Sequence, residues 1–406
     1  MVFRRRGLAR IAGLLIVMGI GMEKNSFAEV TPIVAKIKER QASLGINLLK
    51  LAKDTPNSVV SPYSVSSGLM LARLGAVGEA AAALDESLGT AEVAQSGGAI
   101  EAFRDLNAQV LDSDKGVTLT LANSIWITDR GAFKEVFEKR ASEYLSASAW
   151  RVSFTDPELA RKQVNGWVSE RTQGKIAELV TPGTFTPESV AALVNALHFK
   201  APWRTQFSVD STVTDTFTAK PGVTKQVPMM WSIERYKYVE DANWQVVNLP
   251  FEGDHYGFLL LVPKRELQQE QVREALSSDL LVKVLQSTTE ARVSLRMPRF
   301  TIRHSRELSK DLSQLGLGVL FSPKADFSEI TSLPLKIGSI QHEAYLEVAE
   351  HGVEAAAATA VTFAKSSAPF GQEEMKEVNA NHPFAFAIVH NATQAALFLG
   401  VVGDPS

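Results

Sequence analysis

From Glu350 to Ala364 the chain opens acidic around Gly352 and becomes almost wholly small and uncharged, with Ala355, Ala356, Ala357 and Ala358 in a row, then Thr359. Few folds have a place for such a segment. At period two, Val353, Ala355, Ala357, Thr359, Val361 and Phe363 share one face, and Glu354, Ala356, Ala358, Ala360, Thr362 and Ala364 share the other. One face suits a core and grows bulkier along the chain. The other is small or polar. A strand of this kind can slip between two neighbours, because its small side chains meet no steric barrier on entry. The competing reading is an Ala-rich helix, since Ala is the best helix former. The run itself leaves both readings open. Lys365, Ser366, Ser367, Ala368 and Pro369 then form a polar, exposed stretch.

Other motifs recur in a fixed order around this segment. Asn57-Ser58-Val59-Val60-Ser61-Pro62-Tyr63-Ser64 comes early, then Thr172-Gln173-Gly174-Lys175-Ile176, then Leu193 to Trp203 with its Asn195, His198 and Pro202. Val227-Pro228-Met229-Met230, Met297-Pro298-Arg299-Phe300, Asn381-His382-Pro383-Phe384 and a closing Leu397-Phe398-Leu399-Gly400 complete the set. In order and spacing, over residues 32 to 405, the chain resembles the inhibitory serpins. It departs from them at His351, where the family has Lys, Arg or Glu, at Val353, where Thr is favoured, and at Ala385, where a larger apolar residue is usual. The stretch from the hinge to Asn381 is a little long.

The resemblance implies an α+β fold of three sheets with about nine surrounding helices and an exposed reactive loop at about residues 350–380. It makes Glu350, Gly352, Val353, Glu354, Ala355, Ala356, Ala357, Ala358 and Thr359 the loop's hinge. A protease attacks the loop and forms an acyl-enzyme. The cut hinge then enters the main sheet as a new strand and drags the protease away, an established case of stored strain released by cleavage. Counting from Glu350 places the reactive bond after Ser366, before Ser367, which suits elastase-like or subtilisin-like enzymes. A register one residue shorter places it after Lys365, which suits trypsin-like ones. Cysteine proteases are secondary candidates. The alternative within the family is a non-inhibitory ligand carrier or chaperone.

Whether this hinge can insert is a physical question. Burying Val353, Val361 and Phe363 is worth roughly 1.5–3 kcal/mol each, and each new ladder hydrogen bond about 1 kcal/mol net. Together these give a driving force on the order of 10–20 kcal/mol. No Pro and no inward-facing charge opposes entry. The resemblance also implies a hydrogen-bonded cluster of Ser61, Ser64, Asn195 and His342 that controls parting of the central strands, with Trp203 at the top of the sheet. From the residues alone, His342 is a satisfied core histidine and Trp203 a core anchor.

Composition limits the remaining classes. Hydrophobic residues make up 45% and charged residues 21%, ordinary for a globular chain that can bury a large core. A net charge of -3 gives no electrostatic case for nucleic acid or an anionic membrane. The chain has no Cys, which excludes disulfides, thiolate metal sites and Cys nucleophiles. Arg4, Arg5, Arg6 and Arg10, an apolar run from Ile11 to Met22, and Ser26-Phe27-Ala28 read as a secretory signal over residues 1–28, cleaved after Ala28. The run is short for a membrane span, which needs roughly 20 residues. The expectation is a bacterial periplasmic or secreted monomer with one domain over residues 29–406 and no membrane attachment after cleavage.

No nucleophile elbow, Ser-x-x-Lys, His-Glu-x-x-His, P-loop or dinucleotide glycine motif occurs, so no catalytic residue, metal site or cofactor is assigned. Helices are expected over 32–53, 64–88 (one or two, closed by Gly89), 99–111, 133–146, 156–173 (Asp156 as N-cap, Pro157 in the first turn) and 306–315, ended by Gly316. Strands are expected at 118–128, through most of 185–300, and at 335–349, 384–390 and 395–402. At 188–196 the alanines favour helix, whereas the resemblance makes much of the segment a central strand.

Overall fold

A computed structural model describes residues 32–53, 55–96, 98–112, 116–354 and 374–406. The signal segment, Ala355 to Thr359, and Lys365, Ser366 and Ser367 lie outside the described residues. Helices and strands are numbered in chain order. Helices α1 (Pro32–Leu51), α2 (Pro62–Arg73), α3 (Gly78–Leu88), α4 (Gly98–Leu111), α5 (Glu135–Leu145) and α6 (Pro157–Arg171) match the expected spans within two or three residues. Local chemistry sets their ends. Ser61 caps α2 by accepting from Ser64 N, Asp156 caps α6 by accepting from Leu159 N, and Pro follows each cap. Gly89 closes α3 in the left-handed region at φ 73°.

One sheet has six strands in the spatial order β10 (Phe300–Glu307), β11 (Ser339–Ala349), β12 (Gly352–Val353), β4 (Ala191–Pro202), β2 (Thr118–Thr128) and β3 (Ser148–Val152). The other has nine: β1 (Asn57–Val60), β15 (Ala396–Val402), β14 (Phe384–His390), β8 (Tyr256–Pro263), β7 (Trp244–Pro250), β6 (Val223–Glu240), β9 (Thr289–Pro298) and β13 (Lys376–Asn379), with β5 (Val213–Lys220) paired to β6. Two of the three expected sheets are thus continuous. Strand β6 is long enough to pair with β5 over residues 223–229, with β9 over 229–238 and with β7 over 237–240.

Residues 185–300 are not all strand: α7 (Gln269–Ala275) and α8 (Ser278–Ser287) interrupt them. The α8 start is legible in hindsight, since Ser277 accepts from Leu280 N. The expected helix from Arg306 begins later, as the short α9 (Ser309–Leu312). Arg306 and Glu307 remain in β10 because they pair with His342 and Gln341 of β11. Gly316 stands at φ 96° where the helical path breaks. Strand β11 begins at Ser339 rather than at Leu335.

The strand reading prevails at β4. It lies between β2 and β11, and its residues are buried on both faces almost throughout, so sheet pairing overrides the helical preference of its alanines. Leu193, Leu197 and Phe199 face the main core, which extends to the nine-stranded sheet. Ala192, Val194 and Ala196 face α6, whose Ala160, Val164 and Val168 lie across this side with Trp126 and Phe154. Small side chains here let the helix approach closely.

Candidate functional site

Strands β4 and β11 pair directly, and in parallel, only from Ser339↔Ala192 to Ala344↔Leu197. Above that point they diverge. Strand β12 fills the opening, with Val353 opposite Val348 and Ala201, and Gly352 opposite Ala349 and Pro202. The first hinge residues are therefore inside the sheet, a correction to the expectation of a loop lying wholly outside. The Val353 side chain is fully buried in the main core. Val353 brings no hydroxyl that would have to be paired there.

The other described hinge residues are anchored as well. Glu350 is buried, with Oε1 accepting from Thr212 Oγ1 at 2.9 Å and Oε2 lying 3.6 Å from Arg299 Nη1. The His351 ring lies 3.0 Å from Gln206 Oε1. Gly352 has φ 146°, and a β-carbon there would come within 2.1 Å of the Ala201 carbonyl oxygen, so only glycine fits. Trp203 holds this corner. Its Nε1 donates to Ala349 O at 2.8 Å, its backbone N donates to His351 O, and its ring stacks on Phe251 at 4.7 Å.

Glu354 is the last described hinge residue and the most constrained. Its φ is 50°, and its backbone N donates to Glu347 O at 2.8 Å. Its side chain is buried on the α6 side of the sheet, with Oε2 2.8 Å from His198 Nε2 and 3.6 Å from Lys175 Nζ. The Lys175 ammonium also sits over the Tyr345 ring. Glu354 Oε1 and His198 Nδ1 are buried with no hydrogen-bond partner among the described residues. A left-handed non-glycine residue and two orphaned polar atoms store free energy at the end of β12. His198 and Lys175 each belong to a motif noted in the sequence, but their shared partner is not legible there, since they lie far from Glu354 along the chain.

Below the opening, Ser61, Ser64, Asn195 and His342 come together. His342 Nε2 accepts from Ser61 N at 3.1 Å, so its proton resides on Nδ1, which donates to Asn195 Oδ1 at 2.8 Å. Ser64 Oγ donates to the same Oδ1 at 2.7 Å. Asn195 Nδ2 donates to Ser64 O and to Asn123 Oδ1. Asn123, on β2, is the member that the sequence did not indicate. The cluster ties α2 to β2, β4 and β11 at the level where β4 and β11 are still zipped.

Burial pushes the His342 imidazole down to about 3, and the nearby His304 and Arg306 act in the same direction. The folded state therefore binds this proton only well below the unfolded value of about 6.5. Stability contributed by neutral His342 is present above about 6.5 and is lost as pH falls toward 3. Between pH 7.5 and 5 the expected loss from this group is about 2 kcal/mol. Urea midpoints measured across that range for the native chain and for His342→Gln check this. The Gln variant should show a shallower decline, and parallel curves would contradict it.

Among the described residues no group of His, Cys, Asp or Glu is arranged to hold a metal ion, and no helix is long and apolar enough to cross a membrane.

Comparison with known proteins agrees with this geometry. A family model described as "Serpin (serine protease inhibitor)" matches residues 39–405. Leukocyte elastase inhibitor of Bos taurus is 33% identical over 369 residues, covering 88% of this chain and 96% of that protein. Serpin B6 of Macaca fascicularis is 31% identical over 377 residues, covering 91% and 99%. Among solved structures, thyroxine-binding globulin in complex with thyroxine is similar with a TM-score of 0.82 at 27% identity, covering 91% of this chain and all of that one. The native state of the thermophilic serpin tengpin gives a TM-score of 0.81 at 27% identity, covering 91% and 94%. The family is one of serine protease inhibitors rather than enzymes. With a family match over residues 39–405 and relatives above 30% identity along nearly their whole length, the chain belongs to the serpin family.

Proposed function

We propose that this protein is an exported suicide inhibitor of serine proteases that traps its target as an acyl-enzyme by completing the insertion that β12 has begun. The observation that carries the reading is Val353 seated between β4 and β11, followed by Ala355 to Ala358 and Thr359, side chains small enough to follow it. Strand separation is the costly step in opening a sheet, and β4 and β11 are already parted at the top by β12. The cluster around Asn195 and His342 would then hold the lower half shut until cleavage frees the loop. Ser366 is assigned as the residue before the reactive bond, with Lys365 as the alternative. Export through residues 1–28 belongs to the same proposal, because it would place the inhibitor where it meets exogenous proteases.

The test is incubation of the mature chain with elastase-like, subtilisin-like and trypsin-like enzymes. The expected product is an SDS-resistant complex together with a released C-terminal fragment beginning at Ser367 or Ser366, identified by mass spectrometry. Cleavage by every protease without a retained complex would refute inhibition. The likeness to a thyroxine-binding globulin keeps ligand carriage as the second reading. It predicts no gain in melting temperature when the loop is nicked, whereas the inhibitory reading predicts a large one.

A further inference from the structure

Away from the hinge, a cavity of about 540 Å³ opens between the end of α4, the β7–β8 turn, the β14–β15 turn and the start of β9. That volume lies in the range of small-molecule sites, about 300–1,000 Å³. Two turns form its far wall and are tied together: Asn391 Nδ2 donates to Asp254 O at 2.7 Å, and Asn391 N donates to His255 O at 2.7 Å. At the lip, Arg204 makes a two-pronged contact with Asp254, at 2.9 and 3.2 Å.

Three groups of the lining make no hydrogen bond or ion pair toward the cavity among the described residues. Asn248 is nine-tenths buried, and its side chain makes no hydrogen bond among the described residues. Its Oδ1 is pressed against Gly257, where a β-carbon would come within 2.3 Å, so the amide Nδ2 is left toward the cavity. His390 is almost fully buried. Its Nδ1 accepts from Thr393 N at 3.3 Å and contacts Thr393 Oγ1 at 2.8 Å, which places the ring proton on Nε2, an N–H without a partner. Burial and the neighbouring His255 push His390 down to about 4, in keeping with a neutral ring. Lys237 stands opposite Asn248 in the β6–β7 register and makes no ion pair among the described residues. Two N–H donors and an ammonium on one lining, none with a hydrogen-bond or ion-pair partner among the described residues, form a receptor for a planar acceptor of negative charge. Glu290, exposed, stands opposite Lys237 on the other side in the β6–β9 register, and Asp112, also exposed, borders the cavity at the end of α4 and favours a ligand whose far end donates.

We propose that this cavity binds a small organic carboxylate, held by Lys237 Nζ, Asn248 Nδ2 and His390 Nε2, with the ligand's amino or hydroxyl end toward Asp112. The site is separate from the hinge, so its occupancy does not depend on the inhibitory reading.

The experiment titrates the full chain with succinate, benzoate and 6-aminohexanoate, each against its own carboxamide, by saturation-transfer NMR and calorimetry. The expected result is saturable binding of at least one acid, with its amide about tenfold or more weaker. Lys237→Met should weaken the acid by a similar factor, and Ala392→Trp, which fills the lip, should abolish it. Lys283→Met, on α8, serves as the control and should leave binding unchanged. Lys237 is exposed, so its variant keeps the fold, and a thermal melt verifies this. The proposal is overturned if no acid saturates, if an acid and its amide bind equally, or if Lys237→Met leaves the affinity unchanged.

Discussion

Val353→Arg is expected to convert the protein from an inhibitor into a substrate. The native side chain is fully buried between β4 and β11. An Arg there would have to bury a charge with no acid placed to receive it, at a cost of several kcal/mol. Even about 3 kcal/mol on the insertion step slows it more than about 100-fold, enough for deacylation of the trapped protease to win. The same charge would expel β12 from the sheet, so the loop should also be cut faster. The measurement is the stoichiometry of inhibition together with the yield of SDS-resistant complex. We expect the complex to vanish while the cleaved chain accumulates, with far-UV circular dichroism unchanged. Complex at native yield would rule out insertion as the trap. Ala357→Pro should act in the same direction, because Pro removes a ladder donor from the incoming strand.

Asn195→Ala is expected to give the largest loss of stability. Four groups depend on this amide: Ser64 Oγ, Ser64 O, Asn123 Oδ1 and the His342 ring. The three residues that carry them, Ser64, Asn123 and His342, are buried, and each orphaned group costs about 1–3 kcal/mol. With some relaxation and a small cavity, a net destabilisation on the order of 3–5 kcal/mol follows. The cluster bridges α2 to the zipped part of β4 and β11, so its loss should also let uncut chain insert its own loop, or another chain's. Urea unfolding measures the first effect, and native gels of warmed samples measure the second. A midpoint shift corresponding to less than about 0.5 kcal/mol, as for an ordinary surface change, would remove Asn195 from this role.

The hinge shows where reading the sequence stops. The period-two pattern correctly placed Val353 on a core-facing side. It could not tell whether that core was already occupied, because the answer depends on Ala201 and Val348, which approach Val353 only once β4 and β11 are in place. Glu354 is a sharper case. It falls on the small or polar face of the ribbon, and nothing local shows that it is buried against His198 and Lys175. Its partners lie on a different strand and on the loop after α6. Within 185–300, where strands were expected to dominate, α7 and α8 were not anticipated for a local reason, since the Ser277 cap was there to be read and the flanking β pattern outweighed it. The helix assigned from Arg306 failed for a non-local one, the pairing of Arg306 and Glu307 with β11.

Signals carried within a few residues were sufficient for most helices and their ends. Asp156 before Pro157, Ser61 before Pro62 and Gly89 after α3 act through hydrogen bonds and backbone angles that close within one turn. Ordered motifs were sufficient for the family. What required the folded molecule was every relation between distant segments: the joining of two sheets through β6, the unzipped top of β4 and β11, and the seating of Gly352 and Val353 within it. The physical reason is that a strand's hydrogen bonds are made to other strands. Its residues state which face is apolar, whereas the neighbour that covers that face is chosen by the packing of the whole chain.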